Sequence, residues 1–297
     1  MFETVGIPSP EISFIDLGIF RIHFYALFIL TGIAIATWLA DSRLTKRGAP
    51  KGTMLDIALW AVPFGILGGR FFHVITHPDD YFFEGADFLA TLRIWEGGLA
   101  IYGAISLGAV GVFIATRKMG IRFWSVADAV APGLLIAQGI GRLGNYFNQE
   151  LFGLPTSLPW GLRIPSSNPA YPVGLPDGLL FHPTFAYEMI WNFTGAALLL
   201  LLGSRLNLQW GKVFALYLVV YSFGRIWIEA IRIDPSEIIL GLRLNIWSAL
   251  IGLTLGIILF MVQSRRHPGL EPSIWLPNRE PVEQAESPNG SDLEQSK

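Results

Sequence analysis

The sequence predicts an all-α, polytopic membrane protein with seven transmembrane helices and a head or lid segment on the outer face. The first observation is composition: of 297 residues, 52% are hydrophobic and 15% are charged, whereas a soluble domain carries about 25% charged residues. The second is that the apolar residues lie in long runs, each near the ~20 residues that a helix needs to cross a bilayer. The third is that Lys and Arg are concentrated in alternate loops, as in chains that cross a membrane repeatedly.

Seven apolar runs define the predicted spans. They cover residues 19–40, 54–76, 97–116, 123–141, 184–203, 213–231 and 244–263. The third run contains no charged residue. The second and fourth contain Pro63 and Pro132, which membrane helices tolerate when neighbouring groups satisfy the freed backbone positions. We therefore expect residues 1–263 to form one membrane domain.

The loops on one side of the predicted membrane are rich in basic residues. These are Arg43, Lys46, Arg47 and Lys51 after the first span, Arg117, Lys118 and Arg122 after the third, Arg205 and Lys212 after the fifth, and Arg265 and Arg266 after the seventh. Because short basic loops stay in the cytoplasm, we expect the N-terminus outside and the C-terminus in the cytoplasm. Residues 1–18 contain no Lys or Arg, so they lack the basic start of a signal peptide.

Two segments are predicted to lie outside the spans. Residues 142–183 are dense in Pro and Gly, too long for a simple connection and too apolar for a linker. We expect this segment to form an ordered head or lid on the outer face. Residues 264–297 are rich in Pro, Glu, Ser and Asn, and such a composition predicts a disordered cytoplasmic tail.

Several functional classes are disfavoured by what the sequence lacks. There is no Cys, which excludes disulfides, thiolate catalysis and cysteine metal sites in this chain. The net charge of −2 provides no large basic field for nucleic acid. The five His residues have no metal-ligand spacing, and no glycine-rich nucleotide loop is present. We therefore expect no metal, no cofactor and no nucleic-acid partner.

Polar side chains are concentrated at one predicted depth, toward the outer leaflet. A charge at the bilayer centre costs at least ~2.5–3.5 kcal/mol on insertion scales, so this placement is informative. On the sixth span, a spacing of four, four and three residues puts four polar groups on one helix face: Tyr221, Arg225, Glu229 and Arg232. The other groups at this level are Tyr25, Arg70, Gly97, Gly98, Tyr102, Arg142, Asn145, Asn148, Glu150, Gly153, His182 and Glu188.

Arginines beside carboxylates at headgroup depth suit an anionic lipid phosphate. A guanidinium binds phosphate oxygens through two parallel hydrogen bonds, and the carboxylates either hold the arginines or accept a proton. The pair Arg225–Glu229 at i,i+4 is also compatible with a purely structural helix end. Two other functions remain open at this point: a transporter or channel that uses the cluster as a substrate path, and another phospholipid headgroup or acyl transferase.

A motif at the end of the fourth span resembles a known family. "GRLGNYFNQELFG" (141–153) closely resembles the signature of the prolipoprotein diacylglyceryl transferases, a family of bacterial membrane enzymes. Five further stretches are similar to the family's other landmarks, in the same order: "RIHFYAL" (21–27), "GILGGRFF" (65–72), "WEGGLAIYG" (95–103), "HPTFAYE" (182–188) and "YSFGRIWIEAIRIDP" (221–235). The resemblance covers residues 15–263.

The resemblance implies a specific reaction in the bacterial plasma membrane. Such enzymes move the sn-1,2-diacylglyceryl group of phosphatidylglycerol to the thiol of the lipobox cysteine in a preprolipoprotein, and release glycerol 1-phosphate. The implied partners are therefore phosphatidylglycerol and preprolipoprotein signal peptides. The reacting cysteine is the substrate's, which is consistent with an enzyme that contains none.

The resemblance also implies roles for individual residues. By motif, the signature's functional positions and a second essential cluster correspond to Arg142, Asn145, Glu150, Gly153, Tyr221, Arg225 and Glu229, with Tyr25 matching a tyrosine of the first span. We expect Arg142 and Arg225 to hold the phosphate and stabilise the departing glycerol phosphate. Glu150 and Glu229 would orient these arginines, or one of them would assist thiol deprotonation. Tyr102 is placed with these four as a catalytic candidate. The residues expected to bind substrate are Tyr25, Arg70, Gly97, Gly98, Asn145, Asn148, Gly153, Tyr221, His182, Glu188 and Arg232.

Tyr102 departs from the family pattern, because many members have a histidine there that has been suggested as a base. A phenol with a pKa near 10 is a poor base at neutral pH. Either another group therefore takes the thiol proton, or no dedicated base is needed, since a thiol of pKa about 8.5 is already partly ionised. His23 and His182 are candidates by depth alone.

Overall fold

The computed structural model describes residues 6–18, 20–83, 85–277 and 279. Within this part of the chain, seven long helices form an antiparallel bundle. They are α1 (Phe24–Thr45), α2 (Thr53–Thr76), α3 (Ile101–Met119), α4 (Phe123–Phe147), α5 (Thr184–Arg205), α6 (Lys212–Ala230) and α7 (Leu244–Arg266). We call the end where α1, α3, α5 and α7 finish the basic end, and the opposite end the site end.

The helical membrane architecture predicted from the sequence is confirmed. Six of the helices are long and apolar enough to cross a membrane, and α3 is not among them. This helix has 19 residues and ends in Arg117 and Lys118, which lower its mean hydropathy. A crossing by α3 stays a prediction.

Small residues allow two of the central helices to approach closely. Gly32 of α1 faces Ala137 of α4, and a Cβ at Gly32 would lie 3.1 Å from the Ala137 backbone. Gly133 of α4 has the same relation to Ala36, at 3.0 Å. Membrane helices commonly pack through such small residues, because backbone approach increases their van der Waals contact. The α1–α4 pair thereby brings the start of α1 against the end of α4.

Helix α4 continues further than the sequence predicted. The predicted span stops at 141, whereas the helix runs to Phe147. Arg142 and Asn145 therefore lie on its last turns rather than in a loop, and the predicted boundary of the head segment at 142 is wrong. The ordered helix end directs Arg142 to Glu188 at the start of α5 and Asn145 to Glu150 in the following turn.

The segment between α4 and α5 forms a small head at the site end. It contains three antiparallel strands in the order β3–β5–β4: β3 (Pro155–Thr156), β4 (Leu162–Arg163) and β5 (Leu180–Phe181). Two hairpins lie at the same end: β1 (Phe14–Asp16) with β2 (Arg21–His23) before α1, and β6 (Ile238–Ile239) with β7 (Leu242–Arg243) before α7. The buried core of the head consists of Phe152, Leu162, Ile164 and Phe181.

The chain after α7 folds back across the basic end. In this C-terminal strap (267–277), Glu271 accepts hydrogen bonds from Arg47, from the Ser125 hydroxyl at 2.6 Å and from the Trp210 N–H at 2.8 Å. Ile274 is buried in the core cluster at this end. The predicted disorder is therefore wrong for residues 264–277. The rest of the predicted tail, 278 and 280–297, lies outside the described residues.

Candidate active site

One buried carboxylate joins the two arginines that the sequence singled out. Glu188 lies on the second turn of α5 with 6% of its side chain exposed, and its Oε2 is 2.6 Å from Arg142 Nη2. Its other oxygen is 3.4 Å from Arg225 Nη1. The last turns of α4 and α6 thus meet the start of α5 at a single carboxylate. The sequence placed the three groups at one depth, but it assigned the orientation of the arginines to Glu150 and Glu229 and not to Glu188.

A second carboxylate, Glu229, forms ion pairs with three guanidinium groups. Its side chain is fully buried; Oε2 lies 2.8 Å from Arg225 Nη2 and 3.4 Å from Arg232 Nη1. Oε1 accepts a hydrogen bond from Arg243 Nε at 2.8 Å and one from Asn245 Nδ2 at 3.0 Å. Charge-assisted hydrogen bonds of this kind offset the desolvation of a buried carboxylate. Glu229 therefore links Arg225 to the start of α7.

Three residues of this network were missed by the reasoning from sequence: Asp234, Arg243 and Asn245. Asp234 binds Arg232 through two hydrogen bonds of 2.7 and 2.8 Å. It also accepts from Arg243 Nη2 at 3.2 Å. A signal was present, since "RIDP" follows the sixth span directly and "LRLN" opens the seventh. Their partners become visible only when the β6–β7 hairpin turns the chain back.

The charge on Arg232 is secured by this pairing. This guanidinium follows α6 and is 4% exposed. Burial disfavours its charged form, but the hydrogen bonds to Asp234 and the nearby Glu229 outweigh burial and raise the pKa of Arg232 above its ordinary value. Its donors face Asp234 and Glu229, so the structure places Arg232 as a support of the network rather than as an open substrate contact.

The turn after α4 holds the third carboxylate of the prediction. Glu150 Oε1 accepts from Asn145 Nδ2 at 2.8 Å and from Asn148 Nδ2 at 3.2 Å. Asn145 in turn accepts from Arg142 Nη1 at 3.1 Å. Glu150 therefore contacts Arg142 through an amide, and the arginine-bridging role predicted for it is filled by Glu188. Gln149 has a left-handed backbone, with φ 52°, and strained residues of this kind tend to cluster at functional sites.

Gly153 fastens this turn to α5 and α6. Its N–H donates to the His182 carbonyl at 2.9 Å, and the N–H of the next residue, Leu154, donates to the Ile231 carbonyl at 2.8 Å. A Cβ at Gly153 would lie 2.8 Å from His182 Cβ and 2.9 Å from the Ile231 carbonyl oxygen. Only glycine allows this approach, which holds the end of α6 beside the turn after α4.

Four predicted residues lie on the α2–α3 hairpin, apart from the arginine network: Arg70, Gly97, Gly98 and Tyr102. Arg70 is buried and donates to the carbonyls of Ala90, Thr91, Gly97 and Gly98, at 2.5, 2.8, 2.7 and 3.1 Å. The structure therefore gives Arg70 an anchoring role for the loop before α3. Tyr102 is 43% exposed and packs edge-on to Phe72, with ring centroids 6.4 Å apart.

The remaining predicted aromatic residues are Tyr25, Tyr221 and His182. Tyr25, at the start of α1, is 39% exposed and packs on Gly144 of α4. Tyr221 is half-buried on α6 and stacks on Tyr217 with centroids 6.0 Å apart. His182 Nδ1 lies 3.1 Å from the Tyr187 hydroxyl, so this ring has a structural hydrogen bond.

Comparison with known proteins decides the family. A family model described as prolipoprotein diacylglyceryl transferase matches residues 12–262. The chain belongs to this family. It is 56% identical over 297 residues to the phosphatidylglycerol–prolipoprotein diacylglyceryl transferase of Leifsonia xyli, covering 97% of this chain and 89% of the relative.

Other prolipoprotein diacylglyceryl transferases are nearly as similar. The phosphatidylglycerol–prolipoprotein diacylglyceryl transferase 2 of Streptomyces coelicolor is 46% identical over 269 residues, covering 91% of this chain and 84% of the relative. The Bifidobacterium adolescentis protein of the same name, without a number, is 47% identical over 268 residues, covering 86% and 79%. The family assignment, the membrane-transferase class and the bacterial context predicted from the motifs are thereby confirmed.

Proposed function

We propose that the arginine network at the site end transfers the sn-1,2-diacylglyceryl group of phosphatidylglycerol to the thiol of a lipobox cysteine in a preprolipoprotein. The new bond joins the cysteine sulfur to the terminal glyceryl carbon. The carbon–oxygen bond to phosphate breaks, and glycerol 1-phosphate leaves with the electron pair. The thiol proton passes to a protein carboxylate or to water.

The observation that carries this proposal is the charge balance of the network. Four guanidinium groups, those of Arg142, Arg225, Arg232 and Arg243, are paired with three carboxylates, those of Glu188, Glu229 and Asp234. Among these direct ion pairs one positive charge is left over, which complements the single negative charge of a phosphodiester. Glu150 reaches Arg142 through Asn145, so its carboxylate balances that charge when no phosphodiester is bound. Arginine is well suited to this task because its planar fork matches phosphate oxygens.

Arg142 and Arg225 are the members best placed to bind the phosphate. Their side chains are 18% and 15% exposed, and their contacts leave donors available. Among the described residues, Arg225 makes one hydrogen bond, a long one of 3.4 Å to Glu188, and one close ion pair of 2.8 Å to Glu229. Held at one carboxylate, both guanidinium groups can stabilise the charge that develops on the departing glycerol phosphate.

Glu150 is the carboxylate best placed to take the thiol proton. One of its oxygens is held by Asn145 and Asn148, whereas Glu188 and Glu229 are occupied by arginines. A carboxylate within reach of the acceptor thiol serves as a general base. Tyr102 lies on another hairpin, which supports the view that its phenol is not this base.

Incubation of purified protein with phosphatidylglycerol labelled in its acyl chains and a lipobox peptide tests the proposal. We expect label on the peptide, and none on a matched peptide with serine in place of cysteine. Label on both peptides, or on neither, would overturn the proposal. If labelled lipid moves across vesicle membranes and the peptide is not modified, the protein is a transporter instead. The relatives give no support for that alternative.

We further propose that the basic end faces the cytoplasm and the site end faces outward. The support is the set of Lys and Arg residues at the basic end, since basic loops are retained on the cytoplasmic side. The chain has no Cys, so single cysteines report orientation. A membrane-impermeant maleimide should label Val173→Cys in the head of intact spheroplasts and leave Lys51→Cys unlabelled. The reverse pattern would overturn the orientation.

A further inference from the structure

We propose that Arg243 is a positioning residue for the transfer reaction. By binding one oxygen of Glu229, it leaves Arg225 able to turn toward the substrate phosphate. This inference rests on the proposed function. It concerns a residue outside the motifs that carry the family resemblance, at the junction of β7 and α7.

The two oxygens of Glu229 have different environments. Oε1 accepts two well-formed hydrogen bonds, from Arg243 Nε and Asn245 Nδ2. Oε2 is buried and, among the described residues, accepts no aligned hydrogen bond, although Arg225 Nη2 lies 2.8 Å away. Arg243 is therefore the guanidinium that donates an aligned hydrogen bond to Glu229, while Arg225 forms a close ion pair with the other oxygen.

Arg243 is not itself positioned to bind substrate, because its three nitrogens are directed at the protein. Nε donates to Glu229 at 2.8 Å, and Nη2 donates to Asp234 Oδ2 at 3.2 Å. Nη1 donates to the carbonyls of Asp234 at 2.8 Å and Arg232 at 3.3 Å. These contacts connect the end of α6 to the start of α7 and fix the direction of the guanidinium.

Removal of Arg243 would change the balance at Glu229. Arg142, Arg225 and Arg232 would then be paired directly with Glu188, Glu229 and Asp234, and the excess positive charge among the direct ion pairs would be lost. Oε1 would keep a single amide donor, and Glu229 would draw more of its compensation from Arg225. A guanidinium committed to a buried carboxylate loses its affinity for phosphate, so the effect should appear in lipid binding rather than in peptide binding.

Kinetics of purified, full-length variants in phosphatidylglycerol mixed micelles test this inference. The variants are Arg243→Gln, Arg243→Lys and the matched control Arg266→Gln, an exposed arginine at the far end of the same helix. We expect Arg243→Gln to raise the KM for phosphatidylglycerol roughly tenfold, the effect of losing one charged hydrogen bond. The KM for the lipobox peptide should not change. Arg243→Lys should recover most of the affinity, and Arg266→Gln should match wild type.

A second measurement separates positioning from folding. In a Glu229→Gln background the carboxylate charge is absent, so Arg243→Gln should change the lipid KM less than about twofold. An unchanged lipid KM in Arg243→Gln overturns the inference. Equal changes in the KM for phosphatidylglycerol and the KM for the peptide also overturn it. The inference is likewise overturned if less of the variant folds but the folded fraction has wild-type kinetics. If Arg243→Gln does not fold, Arg243→Lys is the deciding variant. The inference is overturned if Arg243→Lys also fails to fold. It is supported if Arg243→Lys folds and its KM for phosphatidylglycerol lies between the wild-type value and ten times that value.

The failure of the proposed function looks different. If wild type and Arg266→Gln transfer no label from phosphatidylglycerol to the peptide, the proposed reaction itself is wrong, and the inference about Arg243 falls with it. If both transfer label normally and Arg243→Gln does so with unaltered constants, only the positioning role is lost.

Discussion

Replacement of Glu188 by glutamine tests whether the two substrate arginines depend on one carboxylate. Glu188→Gln keeps the shape of the side chain but removes the charge that lies 2.6 Å from Arg142 and 3.4 Å from Arg225. The new amide also presents N–H donors to one of the two guanidinium groups. Both arginines then lose their common anchor, although α4, α5 and α6 keep their packing.

The magnitude follows from these contacts. One strong charged interaction contributes about 1.5–3 kcal/mol, and the 3.4 Å contact adds little. Both arginine side chains are partly hydrated, so we take about 2 kcal/mol, which corresponds to a loss of roughly 30-fold in kcat/KM. Glu188 is 5% exposed, so relief of its desolvation offsets only part of the lost pairing of two mostly buried arginines, and the melting temperature should fall modestly.

The assay is transfer of labelled diacylglyceryl to a lipobox peptide, with kcat/KM measured for phosphatidylglycerol. Glu237→Gln is the matched control, because Glu237 is an exposed carboxylate at the same end of the bundle; it should match wild type. If kcat/KM of Glu188→Gln lies within threefold of wild type, the two arginines do not depend on Glu188.

Three further predictions concern Arg225, Tyr102 and Glu271. Arg225→Lys keeps the charge but loses the planar fork, so transferase activity should fall by at least about tenfold while membrane insertion stays normal; full activity would rule out a two-point grip on phosphate. Tyr102→Phe should retain partial activity in the same transfer assay, because the ring lies on the α2–α3 hairpin, and complete loss would restore its phenol as a proton-transfer group. Glu271→Ala leaves Arg47, Ser125 and the Trp210 N–H without their acceptor, which should lower the Tm by roughly 5 °C, measured by thermal unfolding in detergent. An unchanged Tm would show that the strap does not stabilise the basic end.

The sequence was most informative where structure is local. A charge within an apolar run is visible without any fold, and the spacing of Tyr221, Arg225 and Glu229 gives their common face from helix geometry alone. The boundaries of α2, α5, α6 and α7 lie within three residues of the predicted spans. The predicted fourth span ends at 141, six residues before the end of α4. The residues after 141 are polar, as in a loop, but they continue the helix.

Tertiary contacts explain the residues that were assigned differently. Arg70 stood at the right depth, but its donors are used by the carbonyls of the loop before α3. Arg243 and Asp234 lie just outside the predicted spans. A charge costs little free energy there, so their positions alone do not indicate a function. The strap residue Glu271 lay in a stretch whose composition is typical of disorder. For Arg70, Arg243 and Glu271 the partners lie in other elements of the fold, so composition and local spacing do not identify them. Asp234 pairs with Arg232 two residues away, and with Arg243 only across the β6–β7 hairpin.

The sequence by itself determined that the chain is a membrane bundle, that its costly polar groups collect at one end, and that its motifs match one transferase family. These properties follow from hydropathy, helical periodicity and local motifs. Only the tertiary structure decided that Glu188 joins Arg142 to Arg225, and that Arg243 shares Glu229 with Arg225. The reason is physical: a guanidinium can pair with any carboxylate within reach, and the packing of α4, α5, α6 and α7 selects which one that is.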